Sequence, residues 1–168
     1  MVVPSYDCAV SSMFSKGRGW VLLVGWNEWV ALPGLGVSHI KAKVDTGART
    51  SALHAFDVER YQENGTPMAR FAIHPLQRRD DVVVRCTAPL VDERVVTNSG
   101  GHRERRPVVR TTLRLGGTSW DIEVTLTNRD EMGFRMLLGR TAMERRLIVD
   151  PSASCLTGGE PRRDRRPR

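Results

Sequence analysis

Short runs of alternating apolar and polar residues, separated by glycine, proline and asparagine, constrain this 168-residue chain more than any other feature. They occupy residues 20–31 with a break at Gly25, then 38–44, 50–58, 68–74, 82–88, 91–97, 103–112 running into 111–115, 120–126, 134–138 and 147–149. Turn chemistry stands between them at Pro33-Gly34, Asn64-Gly65 and Gly116-Gly117, and the second of these is a hairpin dipeptide. Only residues 141–145 read as a helix, with Thr141 as its N-cap. Many short strands and one short helix predict an all-β fold, a closed barrel or a sandwich. The length suits one domain, expected over residues 20–151, after a flexible extension at 1–19 and before a disordered basic tail at 152–168.

Residues 40–44 alternate as a half-buried strand and deliver Asp45, Thr46 and Gly47 into a tight turn. An acidic group at a strand end has a physical logic for hydrolysis. Two carboxylates held a few ångströms apart cannot both ionise, so they share a proton; one activates water while the other polarises the scissile carbonyl. Gly47 would let two such loops approach without a side chain between them, and the Thr46 hydroxyl would brace the loop. On its own the tripeptide is most often an ordinary turn. A second element changes that balance: Met136, Leu137, Leu138, Gly139 and Arg140 form an apolar strand that ends in glycine and runs into the helix. Between the two lies a glycine-rich stretch, Asn98, Ser99, Gly100, Gly101 and His102, which reads as the tip of a hairpin with Arg103 just beyond it.

The formal charge of +7 and a pI near 10.1 come from arginine and favour acidic partners. The basic residues lack interleaved aromatics in the sequence, which argues against a nucleic-acid partner. Cys8, Cys86 and Cys155 are odd in number and far apart, which predicts a reducing compartment and no disulfide framework. Residues 1–19 lack a signal-peptide core, and the apolar run 20–24 is far short of the roughly 20 residues a membrane span needs. A cytoplasmic protein without a membrane partner is expected. His39, His54, His74 and His102 show no metal-ligand spacing and no phosphate-binding glycine loop is present, so neither metal nor nucleotide cofactor is expected.

The order Asp45-Thr46-Gly47-Ala48, glycine-rich hairpin, Leu138-Gly139-Arg140 resembles the retropepsins, the single-lobe aspartic proteases. With residues 25–33, 41–54 and 125–130 added, the chain is more similar still to their bacterial and archaeal relatives. That family is often labelled ATP-dependent zinc proteases and includes the RimB-type peptidases linked to glutamate-tail modification. The resemblance covers residues 20–151 and implies a retropepsin-like closed barrel whose active site forms on a twofold axis. No second Asp-Thr-Gly or Asp-Ser-Gly exists in the chain, so a dyad requires a C2 homodimer with Asp45 contributed twice. By the same resemblance Asp45 is catalytic, Thr46, Gly47 and Ala48 support it, and Asn98 to Gly101 with Arg103, together with Leu138, Gly139 and Arg140, border the substrate. Where viral retropepsins carry an acidic residue after Asp-Thr-Gly-Ala, this chain has Arg49 followed by Thr50. Arg140 is thereby left in need of a partner, expected in Asp57, Asp130 or a substrate carboxylate. Arginines at 49, 103, 105 and 106 make an acidic, glutamate-rich peptide the expected substrate. The alternative reading is a non-catalytic β-barrel module that binds acidic partners or nucleic acid.

Overall fold

A computed structural model describes residues 13–15, 20–97, 100–128 and 133–159. The chain is mostly β, with one short helix. Strands β1 (Met13–Ser15), β2 (Trp20–Gly25) and β12 (Leu147–Asp150) form a three-stranded sheet in the order β1-β2-β12. The other nine are β3 (Asn27–Leu32), β4 (Val37–Val44), β5 (Ser51–His54), β6 (Phe56–Glu63), β7 (Thr66–Ile73), β8 (Val84–Thr97), β9 (Arg103–Leu115), β10 (Thr118–Thr127) and β11 (Met136–Leu138). They run in the order β10-β5-β11-β4-β3-β9-β8-β7-β6, and β10 also pairs with β9. The sheet thus returns on itself, and the ladder between β3 and β9 has one registered pair, Ala31 with Arg114.

The alternation read from the sequence places the core. Leu32, Ile40, Leu53, Phe71, Leu113 and Met136 are all but fully buried, and each contributes about 1.5–3 kcal/mol by leaving water. Asn64 and Gly65 both take positive φ, 49° and 79°, as a two-residue hairpin turn demands, and they join β6 to β7. Several local expectations differ in detail. The run 50–58 divides at Ala55 into β5 and β6, which belong to different parts of the sheet. The runs 82–88 and 91–97 are one continuous strand, β8; its first half pairs with β7, its second with β9, and a register shift between Leu90 and Asp92 re-aims it. The helix α1 covers Arg140–Met143, so its N-cap is Gly139, in extended backbone, and Thr141 lies inside the first turn.

Two segments at the domain margins also pack on it. Met13–Ser15, inside the expected extension, pairs with β2. Within the expected tail, segment 153–157 lies against the start of β3: Trp26 donates its backbone N–H to Ala153 and Cys155 donates to Asn27. Buried Glu28 holds that strap. Its carboxylate accepts from the N–H groups of Gly25 (2.7 Å), Leu156 (2.9 Å) and Thr157 (3.1 Å) and from the Thr157 hydroxyl (2.8 Å). Among the described residues no helix is long and apolar enough to cross a membrane.

Candidate active site

Strand β11 lies between β4 and β5, parallel to the first (Leu138 opposite Val44) and antiparallel to the second (Leu137 opposite Ala52). The loop from Asp45 to Thr50 must therefore pass over the carboxyl end of β11, where it meets the start of α1. Asp45 donates its N–H to the Leu138 carbonyl at 2.9 Å, and its Oδ1 accepts from the N–H groups of Gly47 (2.9 Å) and Ala48 (3.2 Å). The side chain is half-buried, fixed in direction by two backbone donors and open to the cleft. A Cβ at Gly47 would come within 3.2 Å of that Oδ1, so glycine keeps the carboxylate's approach clear.

The Leu138-Gly139-Arg140 element supports the loop from behind. The N–H groups of Arg140 and Thr141, orphaned at the start of α1, donate to the carbonyls of Ala48 (2.9 Å) and Arg49 (3.0 Å). Gly139 donates to the Ser51 hydroxyl at 3.1 Å, and a Cβ there would sit 2.5 Å from the Thr50 carbonyl carbon. Only glycine allows that backbone approach. Arg140 turns its Nη1 onto the carbonyls of Thr46 and Gly47, each at 3.0 Å. Backbone oxygens thus take the place of the carboxylate expected beside Arg140; of the three candidates, Asp130 lies outside the described residues.

Above the loop stands the β8–β9 hairpin, whose last described pair is Thr97 with Arg103. Together they enclose a cleft of about 790 Å³. Asp45, Gly47, Ala48, Thr125, Ala52 and Leu137 form its floor, Arg49 and Thr50 its side, and residues 94–97 with Arg106 its roof. Of the expected substrate-binding residues, Arg49 and Thr50 line this cleft, and Arg49 is exposed. Leu138 does not: strand alternation turns it fully into the core, and its neighbour Leu137 faces the cleft instead. Gly139 and Arg140 lie behind the loop, outside the cleft lining. Gly100, Gly101 and Arg103 are exposed at the hairpin's end, with φ +81° at Gly101; Asn98 and Ser99 lie outside the described residues.

Two cleft residues did not emerge from the sequence as a pair. Arg94 and Arg106 face each other across the hairpin in register, and like charges so placed repel unless they are compensated. Arg94 donates to Glu123 (2.6 Å), Asp92 (2.8 Å) and the Thr50 hydroxyl (3.4 Å), which ties the hairpin to the Asp45 loop. Hydrogen bonding to Glu123 first, and to Asp92, raises the Arg94 pKa; in turn Arg94, followed by the Glu93 N–H, holds Asp92 below the usual carboxylate value. Arg106, only 6% exposed, donates its Nε to Glu104 at 2.8 Å. Their signal in the sequence was the alternation of charge along 92–106, which becomes pairing only once the hairpin register is known.

The chain is similar to known proteins. A family model described as retropepsin-like aspartic endopeptidase RimB matches residues 23–159. Curated proteins named probable alpha-L-glutamate ligase are 49% identical in Desulfotalea psychrophila and 46% in Shewanella pealeana, each over 136 residues and 81% of this chain. One from Parasynechococcus marenigrum is 51% identical over 133 residues, 79% of this chain. The chain spans less than a third of these relatives' length, 29%, 30% and 28% respectively. The crystal structure of Lpg0085 from Legionella pneumophila, a protein of unknown function, superposes with a TM-score of 0.70 at 28% identity, covering 80% of this chain and 97% of that one. The family match spans both the Asp45 loop and the Gly139 element that buttresses it, and the chain belongs to the RimB-like family of retropepsin-like aspartic endopeptidases.

Proposed function

We propose that the chain is an aspartic endopeptidase that works as a C2 homodimer, with Asp45 of each copy forming the catalytic pair. The observation that carries this reading is the Asp45 carboxylate itself, aimed by the Gly47 and Ala48 N–H groups into a cleft roofed by a hairpin. A single chain supplies one such carboxylate, and the chemistry needs two.

In the dimer the two carboxylates share one proton and hold a water between them. The ionised member takes a proton from the water as its oxygen bonds to the carbonyl carbon. The protonated member gives its proton to the carbonyl oxygen, so a neutral gem-diol forms. Collapse of the diol breaks the C–N bond; the leaving nitrogen gains the proton first taken from water, and the second carboxylate regains its own from a diol hydroxyl. The Gly47 and Ala48 donors hold the accepting oxygen in place. Arg140 keeps the Thr46–Gly47 backbone in place throughout.

An acidic peptide, glutamate-rich in particular, is the substrate this reading assigns. Arg49 is the exposed cation at the cleft, since Arg94 and Arg106 in the roof are held by Glu123, Asp92 and Glu104. The relatives' names, probable alpha-L-glutamate ligase, point to glutamate from a separate direction. Asp45→Asn should abolish cleavage of a glutamate-rich peptide while sedimentation still reports a folded dimer. Retained cleavage in that variant would remove Asp45 from the chemistry, and a monomer that cleaves at full rate would remove the dimer.

A further inference from the structure

Outward side chains on a strand recur every second residue, so the face of β4 that leads to Asp45 carries more than the catalytic group. In β4, Ile40, Ala42 and Val44 are buried, whereas Lys41 and Lys43 face away from the core. Lys43 is in register with Leu137, Leu137 with Ala52, and Ala52 with Thr125. The last three form part of the catalytic floor, so exposed Lys43 is the next side chain in the same row. Lys41, one step further from Asp45, is in register with Trp29 and lies 5.6 Å from the centre of its ring. It also lines a second cavity of about 610 Å³, walled by Trp26, Trp29, Phe134, Arg78 and Arg79. Trp26 is 42% exposed and meets Phe134 edge-on at 5.7 Å. Among the described residues that line this cavity none is acidic. Arg79 is paired with Asp81, whereas Lys41, Lys43 and Arg78 make no ion pair with another described residue.

We propose that the outer face of β4, from Lys43 through Lys41 to the Trp26–Trp29–Phe134 cavity, is a binding track for an extended acidic peptide, continuing the catalytic cleft away from Asp45. The match is one of spacing and of charge. An extended peptide repeats its side chains on one face about every 6.7 Å, the repeat that separates Lys43 from Lys41 on their own strand. Alternate carboxylates laid along β4 therefore meet successive ammonium groups. The indole faces beyond them cover the aliphatic stems of glutamate side chains, and Arg78 supplies a further cation. The inference rests on the peptidase reading for what the track is for, since it would hold the part of the substrate that is not cut; the binding itself needs no catalysis.

The test uses the full chain carrying Asp45→Asn, titrated into fluorescein-labelled deca-glutamate and followed by anisotropy at moderate salt. Adding Lys41→Gln and Lys43→Gln together should weaken binding by about tenfold, and Lys→Arg at both should restore it. The charge-matched control, Arg70→Gln with Arg85→Gln on β7 and β8, should change it less than threefold. Equal weakening by the two charge-removing pairs would reduce the track to general attraction and overturn the proposal. So would tighter, Lys41- and Lys43-dependent binding of an oligothymidylate of the same charge, which would make the surface a nucleic-acid site. Cleavage by the unmutated chain is read separately: binding along the track without cleavage would sink the peptidase reading and leave the track standing.

Discussion

Arg140 places one guanidinium nitrogen, Nη1, 3.0 Å from both the Thr46 and the Gly47 carbonyl oxygens, so the residue after the Leu138-Gly139 element braces the turn that follows Asp45. The two bonds link residues 94 and 93 positions apart in the chain, and they support a loop whose donors aim the catalytic candidate.

Replacing Arg140 by Met should therefore harm activity more than stability. The guanidinium is exposed, so losing its bonds should cost no more than about 1–2 kcal/mol, read as a lowered urea midpoint with an unchanged slope. Peptide cleavage should fall at least tenfold, mainly in kcat, because the Asp45 loop loses its support while the cleft walls remain. Equal losses in a purely thermal assay and in kcat at a temperature where the variant is fully folded would argue against a positioning role.

Gly139→Ala should be the more damaging change to the fold. The added methyl would stand 2.5 Å from the Thr50 carbonyl carbon and 2.8 Å from the Ser51 nitrogen, and both are backbone atoms that cannot swing aside. A cost at the upper end of the roughly 1–3 kcal/mol usual for overpacking is expected, with loss of the Ser51 bond included. Denaturant unfolding measures it directly, and a variant as stable as the parent would mean that the loop and β11 are not in the contact described.

Acid should loosen the hairpin through Asp92. Its pKa is lowered, chiefly by the Arg94 hydrogen bond, so its contribution to stability is fully present above the ordinary carboxylate value near 4 and is lost as pH falls through the lower folded value. Arg94→Gln should narrow that pH dependence: the parent's advantage, clear at neutral pH, should shrink as pH falls below the ordinary carboxylate value and through the lowered one. Urea midpoints across that range give the comparison, and parallel curves for the two proteins would show that Arg94 does not act through Asp92.

The sequence disclosed the strands through their period, and the Asp45 loop with the element that buttresses it through two short motifs whose order mattered more than either alone. Leu138 shows where motif reading stops: a three-residue strand has no periodicity of its own, so only the pairing of β11 with β4 and β5 tells which of Leu137 and Leu138 faces the cleft. Arg94 shows the same limit for charge. Its three partners come from its own strand, from β10 and from the Asp45 loop, and a linear reading sees only Asp92. Lys41 and Trp29 are twelve residues apart and meet only because β3 and β4 form a hairpin. The aromatic and basic residues that looked separate in the chain interleave on its surface.

Glu28 makes the last prediction, and it concerns the segment that reads as tail in the sequence. The side chain is fully buried and gives both oxygens to four donors, three of them in residues 156–157. Nothing local in the run from Asn27 to Leu32 announces this, because the donors lie 128 and 129 residues away, apart from Gly25. Glu28→Ala would leave three backbone N–H groups and a hydroxyl without their acceptor, at about 1–3 kcal/mol for each that stays buried. The strap can escape part of that by peeling into water, so the expected net loss is about 3 kcal/mol or more, together with fast amide exchange at Leu156 and Thr157. Glu28→Gln keeps acceptor capacity on one oxygen and should fall between the alanine variant and the parent. Slow exchange at Leu156 and Thr157 in the alanine variant would show that the strap is held by the Ala153 and Cys155 backbone bonds alone, and that the buried carboxylate has some other reason to be there.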